Sequence, residues 1–195
     1  MVLAHGAGAG QRHPFMVTIA RGLAERGIDV ATFDFPYMRG RRRVPDKAPV
    51  LETAFREAVA DARGEVGSGH RVFIGGKSMG GRIATHLAAQ GLDGLQGVVT
   101  LGYPLHPPGK PEQLRTAHLP DIRVPVLIVQ GERDAFGTAD ELKPIIGQMS
   151  ARVTLHVVAR GDHSLAVPTT AGVAQKDVYA SVLDTIASWV QSTYG

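Results

Sequence analysis

A chain of 195 residues, 44% hydrophobic and 20% charged, is long enough for one domain that buries about 70% of its unfolded surface and too short for two of ordinary size. Twenty-one basic against 18 acidic side chains leave a formal charge of +3, so no global field points to nucleic acid. The absence of cysteine excludes disulfide frameworks, thiolate zinc sites, iron–sulfur clusters and cysteine nucleophiles, and fits a reducing, cytoplasmic setting.

The opening residues carry no charged leader ahead of an apolar stretch, and no segment approaches the roughly 18 apolar residues of a spanning helix, so neither secretion nor membrane association is expected. No internal repeat or linker-like tract divides the chain, and residues 1–195 are read as a single domain. The first strand is expected at Val2 to Ala4, followed by a helical segment spaced on Phe15, Ile19 and Leu23. A strand from Ile28 to Phe33 precedes a helix spaced on Leu51, Phe55, Ala58 and Ala62. Next come a strand from Arg71 to Ile74, a helix carrying Ile83 and Leu87, and a strand from Gln96 to Leu101. The strand from Val124 to Val129 leads to a helix with Leu142, Ile145, Ile146 and Met149, and the strand from Val153 to Val158 to a closing helix with Val178, Val182, Ile186 and Trp189.

Six strands alternating with five helices predict an α/β fold: an open, mostly parallel sheet covered by helices on both faces. The run Val126 to Val129 is continuously apolar, as a strand covered on both sides would be. Val153, Leu155 and Val157 instead alternate with Thr154 and His156, as a half-exposed edge would. In such sheets ligands sit beyond the carboxyl ends of the strands, and the informative residues are sought there.

Beyond the third strand, Gly76-x-Ser78-x-Gly80 leads into a helix, the pattern of a nucleophile elbow. The spacing has a steric cause, since a side chain two residues either way would collide with the turn or the neighbouring strand. One chance match in about ten chains of this glycine content makes the pattern alone suggestive, and its strand-before, helix-after context strengthens it. After the fifth strand comes Gly131-Glu132-Arg133-Asp134, and after the sixth Gly161-Asp162-His163-Ser164. The order Ser78, Asp134, His163 is that of an α/β-hydrolase triad: His163 would take the serine proton and Asp134 would orient the imidazole. The blander readings are a helix N-cap for Ser78, a helix cap for Asp134 with Glu132 as rival acid, and a surface histidine for His163. Asp162 is read as a loop-stabilising residue.

An oxyanion hole needs two preorganised N–H donors. Met79, which follows the serine, would supply one, and Ala7 in His5-Gly6-Ala7-Gly8 the other. Tyr37, Tyr103 and Leu105 are candidate pocket-lining residues, core packing being their alternative. The run Arg39 to Arg43 is either a solvated loop or, through Arg41, a clamp for an anionic substrate. No P-loop is present, because Arg71 stands where its first glycine belongs, and a dinucleotide fingerprint at Gly6 to Gly10 lacks its third glycine at Gln11.

With these segments in view, the chain resembles a small α/β-hydrolase of the dienelactone-hydrolase-like kind, and is most similar to the bacterial branch related to the non-specific-lethal chromatin-complex subunit. The resemblance rests on His5 to Gly8, Phe33-Asp34-Phe35-Pro36-Tyr37, Gly76 to Gly81, Gly102-Tyr103-Pro104-Leu105, Gly131 to Asp134 and Gly161 to His163, in order along nearly the whole chain. It implies the α/β-hydrolase fold, a serine-hydrolase mechanism and the triad roles. Taken with the composition and motifs, the expected function is a serine hydrolase (carboxylesterase-like) acting on a small-molecule acyl substrate, with no cofactor, no metal, no nucleic-acid partner and no membrane partner. The alternative is a non-catalytic interaction module on the same scaffold. The family's usual first two strands have no counterpart, so the chain is either trimmed or shortened at one sheet edge. The interval from Gly102 to Arg123 is too short for a helical lid.

Overall fold

The computed structural model describes residues 1–67 and 69–193. Its six strands form one parallel sheet in the order β2-β1-β3-β4-β5-β6. The strands are β1 (Val2–Ala4), β2 (Ala31–Phe33), β3 (Val72–Lys77), β4 (Leu95–Leu101), β5 (Val126–Gly131) and β6 (Val153–Val158). Helices α1 (Pro14–Ala24), α2 (Pro36–Arg39), α3 (Ala48–Val66), α4 (Met79–Ala89), α5 (Ala139–Ile146) and α6 (Gln175–Ser192) connect or close them. The architecture is the expected open α/β sheet, with β6 as the part-exposed edge.

The period-2 geometry of a strand sends successive side chains to opposite faces, and two apolar clusters result. On one face Leu3, Phe73, Val99, Leu127 and Val129 pack against α1 and α6 through Ile19, Leu23, Val182, Ile186 and Trp189. On the other, Val2, Ile74, Val98, Val126 and Ile128 pack against α3, α4 and α5 through Phe55, Val59, Ile83, Leu87 and Leu142. Burial on both faces explains why the middle strands read as unbroken apolar runs.

Helix starts follow local chemistry. Proline opens α1 after His13, whose side chain accepts from the Phe15 N–H, and Thr138 with Glu141 forms a reciprocal capping box on α5. Several strand boundaries differ from expectation, with β3 beginning at Val72, β4 at Leu95 and β5 at Val126. β2 begins at Ala31 rather than Ile28, because it pairs only with the three-residue β1 and the Ile28 N–H is taken by the Leu23 carbonyl. β3 runs on to Lys77, since Gly75 and Gly76 pair with β1 and β4 at once. β5 extends to Gly131 because β6 pairs with it through Val158. The short α2 was not expected from periodicity, being a single turn opened by Pro36.

Strand order reverses direction at β1 and β3, whose carboxyl ends lie side by side. A crevice at such a switch point is where open α/β sheets hold ligands. Among the described residues no helix is long and apolar enough to cross a membrane.

Candidate active site

A cleft of about 780 Å³ opens at that switch point and is lined by Gly6 to Ala9, Lys77, Ser78, Met79, Arg82, Phe136 and His163 among others. Ser78 is the hinge between β3 and α4, with φ 50° and ψ −114°, a left-handed backbone that costs a non-glycine residue about 1–3 kcal/mol. The turn closes against β1 so tightly that a Cβ at Gly76 would sit 2.2 Å from the Ala4 carbonyl oxygen, and one at Gly80 would sit 2.3 Å from the same atom. Both flanking glycines are therefore required by the strand next door.

The Ser78 hydroxyl donates to His163 Nε2 at 2.8 Å. On the far side of the ring, Nδ1–H donates to Asp134 at 2.7 Å (Oδ2) and 2.9 Å (Oδ1). The partners fix the tautomer: a carboxylate can only accept, so the proton lies on Nδ1 and Nε2 is free to accept. The Asp134 side chain has no solvent exposure and also accepts from the Phe136 N–H at 2.8 Å and from Gln130 Nε2 at 2.9 Å. The Phe136 ring stacks on the imidazole at 4.1 Å. Glu132, the rival acid, is turned away and accepts the Arg160 N–H. Asp162 accepts from the N–H groups of Ser164 and Ala166, which shapes the loop before and after His163.

Of the sequence-predicted residues, Ser78, Asp134 and His163 come together, and Ala7 and Met79 border the same cleft. Tyr37, Tyr103, Leu105 and Arg41 do not reach its lining. Tyr37, Tyr103 and Leu105 are essentially unexposed and belong to the core. Arg41 lies exposed on the loop after α2, where its neighbour Arg42 is spent on a bidentate pair with Asp46. The expectation that these four line the pocket is corrected: Tyr37, Tyr103 and Leu105 are packed into the core, and Arg41 faces solvent outside the cleft lining.

Tyr37 nonetheless shapes the site. Its hydroxyl donates to the Ala7 carbonyl at 2.9 Å, and burial, aided by Asp34 and Asp46, pushes its pKa up to about 12. His5 works beside it: Nε2 accepts the Phe35 N–H at 3.1 Å, so Nδ1 carries the proton and donates to the Gly6 carbonyl at 2.8 Å. Burial lowers the His5 pKa and keeps the ring neutral, as the Phe35 bond requires.

Two further supports are invisible to motif reasoning. Gln130, buried at the end of β5, accepts the Tyr103 N–H and donates to Asp134, the Tyr103 carbonyl and the Gly137 carbonyl. Lys77 donates to the His163 carbonyl at 2.5 Å, and burial lowers its pKa to about 8 against the raising influence of Asp134 and Asp162. Gly102 makes room for this tie, since a Cβ there would lie 2.6 Å from the His163 carbonyl oxygen. Among the described residues no three His, Asp or Glu side chains group closely enough to hold a metal ion.

Gln130→Met removes these donors while keeping volume, leaving buried acceptors unmatched, and should lower unfolding free energy by roughly 2–4 kcal/mol in urea titration. The pH dependence has a definite sign. Burial lowers the His5 pKa, and burial followed by His86 and Arg82 lowers that of His118 to about 4, from ordinary values of 6.5. Below pH 6.5 the unfolded chain therefore takes up protons that the native state refuses, and stability falls as pH drops toward 4. Tm should decline across that window, less steeply in His118→Gln than in the parent.

The family model for the alpha/beta hydrolase domain matches residues 1–191. Solved structures agree in fold. A dienelactone hydrolase from Anabaena variabilis superposes with a TM-score of 0.73 at 20% identity, over 98% of this chain and 84% of that one. Est1E from Butyrivibrio proteoclasticus, in a structure with ferulic acid bound, gives 0.71 at 16% identity over 99% and 88%. A putative hydrolase of the alpha/beta superfamily from Xanthomonas campestris gives 0.65 at 21% identity over 98% and 97%. With the family model spanning all but the last four residues, the chain belongs to the alpha/beta hydrolase domain family.

Proposed function

We propose that this protein is a serine hydrolase that cleaves an ester or similar acyl bond of a small substrate through an acyl-enzyme on Ser78. The observation that carries the reading is the continuous hydrogen-bonded line from Ser78 Oγ through His163 to the unexposed Asp134. Oγ attacks the acyl carbon as its proton passes to Nε2, and the imidazolium is stabilised by the carboxylate at Nδ1. The tetrahedral oxyanion is met by the N–H groups of Met79 and Ala7, each donor of this kind being worth ~3 kcal/mol. Collapse breaks the bond to the leaving group, which takes the proton from Nε2. Water, deprotonated by the same nitrogen, then releases the acid and restores Ser78.

No metal or organic cofactor enters these steps, and the cysteine-free chain suits a cytoplasmic setting. Within the superfamily we place the chain in the bacterial branch related to the non-specific-lethal subunit, on the segments His5 to Gly8, Phe33 to Tyr37 and Gly102 to Leu105. The segment between Gly102 and Arg123 contains only one short 3-10 turn, Leu119–Asp121, which supports an open site without a helical lid.

Turnover of p-nitrophenyl acetate tests the assignment. Ser78→Ala should lower kcat/KM by at least about 10³-fold and Asp134→Asn by about 10⁴-fold, while Glu132→Gln should stay within about twofold. Parent-like turnover by Ser78→Ala would refute the nucleophile, and loss in Glu132→Gln but not Asp134→Asn would move the acid. Each methylene of a long acyl chain contributes about 0.8 kcal/mol only if apolar surface covers it. Across an ester series kcat/KM should therefore peak at short acyl groups, with no jump at a lipid–water interface; a long-chain optimum would contradict the open site.

A further inference from the structure

The cleft carries positive charge that acyl transfer does not use. Arg82 stands one turn beyond Ser78 on α4, its N–H bonded to the Ser78 carbonyl at 3.0 Å. Residues four apart share a helix face, and long side chains lean back toward the N-terminal turn, which here is the serine. Arg115 comes from the β4–β5 connection. Its N–H donates to the Leu105 carbonyl at 2.8 Å, and its own carbonyl accepts the Tyr103 hydroxyl at 2.7 Å. Tyr103 and Leu105 thus act here as the floor beneath an arginine. Both guanidinium groups belong to residues lining the cleft around Ser78 and His163.

Arg115 feels its neighbour: burial lowers its pKa, and the charge of Arg82 lowers it further. Yet among the described residues neither has a carboxylate within ion-pair distance. The acids nearby are committed elsewhere. Asp46 is held by Arg42, Glu52 accepts from His86 and Gln90, and Asp134 is filled by His163, Gln130 and Phe136. Each guanidinium has five N–H donors. The protein engages them sparsely, through His86 Nε2 at 3.5 Å for Arg82 and the Pro104 carbonyl at 3.4 Å for Arg115.

Half-buried like charges without counter-ions oppose folding, and an anion between them would relieve the repulsion. Resting on the hydrolase reading above, we infer that Arg82 and Arg115 form an anion clamp, so that the substrate carries a carboxylate or phosphate group beside the acyl bond presented to Ser78. The basic run Arg39 to Arg43 is not this clamp: Arg41 and Arg43 lie exposed outside the cleft lining, and Arg42 is already paired.

The experiment compares kcat/KM for mono-p-nitrophenyl glutarate, its methyl ester as the neutral counterpart, and a p-nitrophenyl ester ending in a phosphate. At low ionic strength one anionic ester should exceed the neutral one by about tenfold or more, the choice between carboxylate and phosphate naming the anion. In Arg82→Gln and in Arg115→Gln that ratio should collapse to within about twofold of one, whereas Arg41→Gln should keep it. Added salt should erode the preference in the parent, a readout that needs no variant. Equal rates on charged and neutral esters, or a ratio unaltered in both cleft variants, would overturn the clamp. Calorimetry with glutarate and inorganic phosphate separates the two proposals. If no ester is turned over, the hydrolase reading fails, while anion binding lost in Arg82→Gln still upholds the clamp and absence of binding by the parent overturns it.

Discussion

One close approach governs the site. The Ala4 carbonyl at the end of β1 lies where a side chain on Gly76 or Gly80 would have to be, so β1, β3 and α4 can meet only through glycine. That contact lets the chain reverse from strand to helix within a single residue. Ser78 occupies that residue with φ 50°, its hydroxyl projecting over the carboxyl ends of the central strands. Everything the site can do chemically begins with this placement, because a serine inside a regular strand or helix would have no such access to a base on another loop.

The remaining parts are held by a ring of polar ties around the elbow. Gln130 fixes Asp134 from β5, Lys77 holds the His163 main chain from β3, and Tyr37 from the second crossover and His5 from the end of β1 hold the Gly6–Ala7 peptides. Each tie is largely out of water, where a satisfied hydrogen bond is strong and an unsatisfied partner is costly. The loops owe their positions to rigid strand ends and to one another, as where the Arg133 N–H donates to the Gly161 carbonyl and the Arg160 N–H to Glu132. The same arrangement leaves Arg82 and Arg115 without a carboxylate partner among the described residues, since the acids nearby are consumed in holding the scaffold.

Much of this was readable from the chain. Alternating apolar runs announced the parallel sheet, and a glycine-flanked serine with an acid and a histidine after later strands gave the order of the hydrogen-bonded line. Their geometry is legible because steric demand and strand-end position both write themselves into local sequence. Gln130, Lys77 and Phe136 were missed for the opposite reason: a buried glutamine, a lysine inside the elbow and a loop phenylalanine have no spacing signature, and their partners are distant in sequence. Tyr37, Tyr103, Leu105 and Arg41 were misread because proximity to a strand end in sequence does not fix which way a side chain turns. Likewise the dense basic run drew attention that belonged to two arginines 33 positions apart, one on a helix face and one on a loop.

The central claim is that Ser78 is an activated nucleophile. Treating the intact protein with a fluorophosphonate and mapping the adduct by peptide mass spectrometry tests it in one step. A single phosphonylated residue, Ser78, is expected, with labelling slowed by orders of magnitude in His163→Gln. An unlabelled protein, or an adduct at another serine while Ser78 stays free, would contradict it.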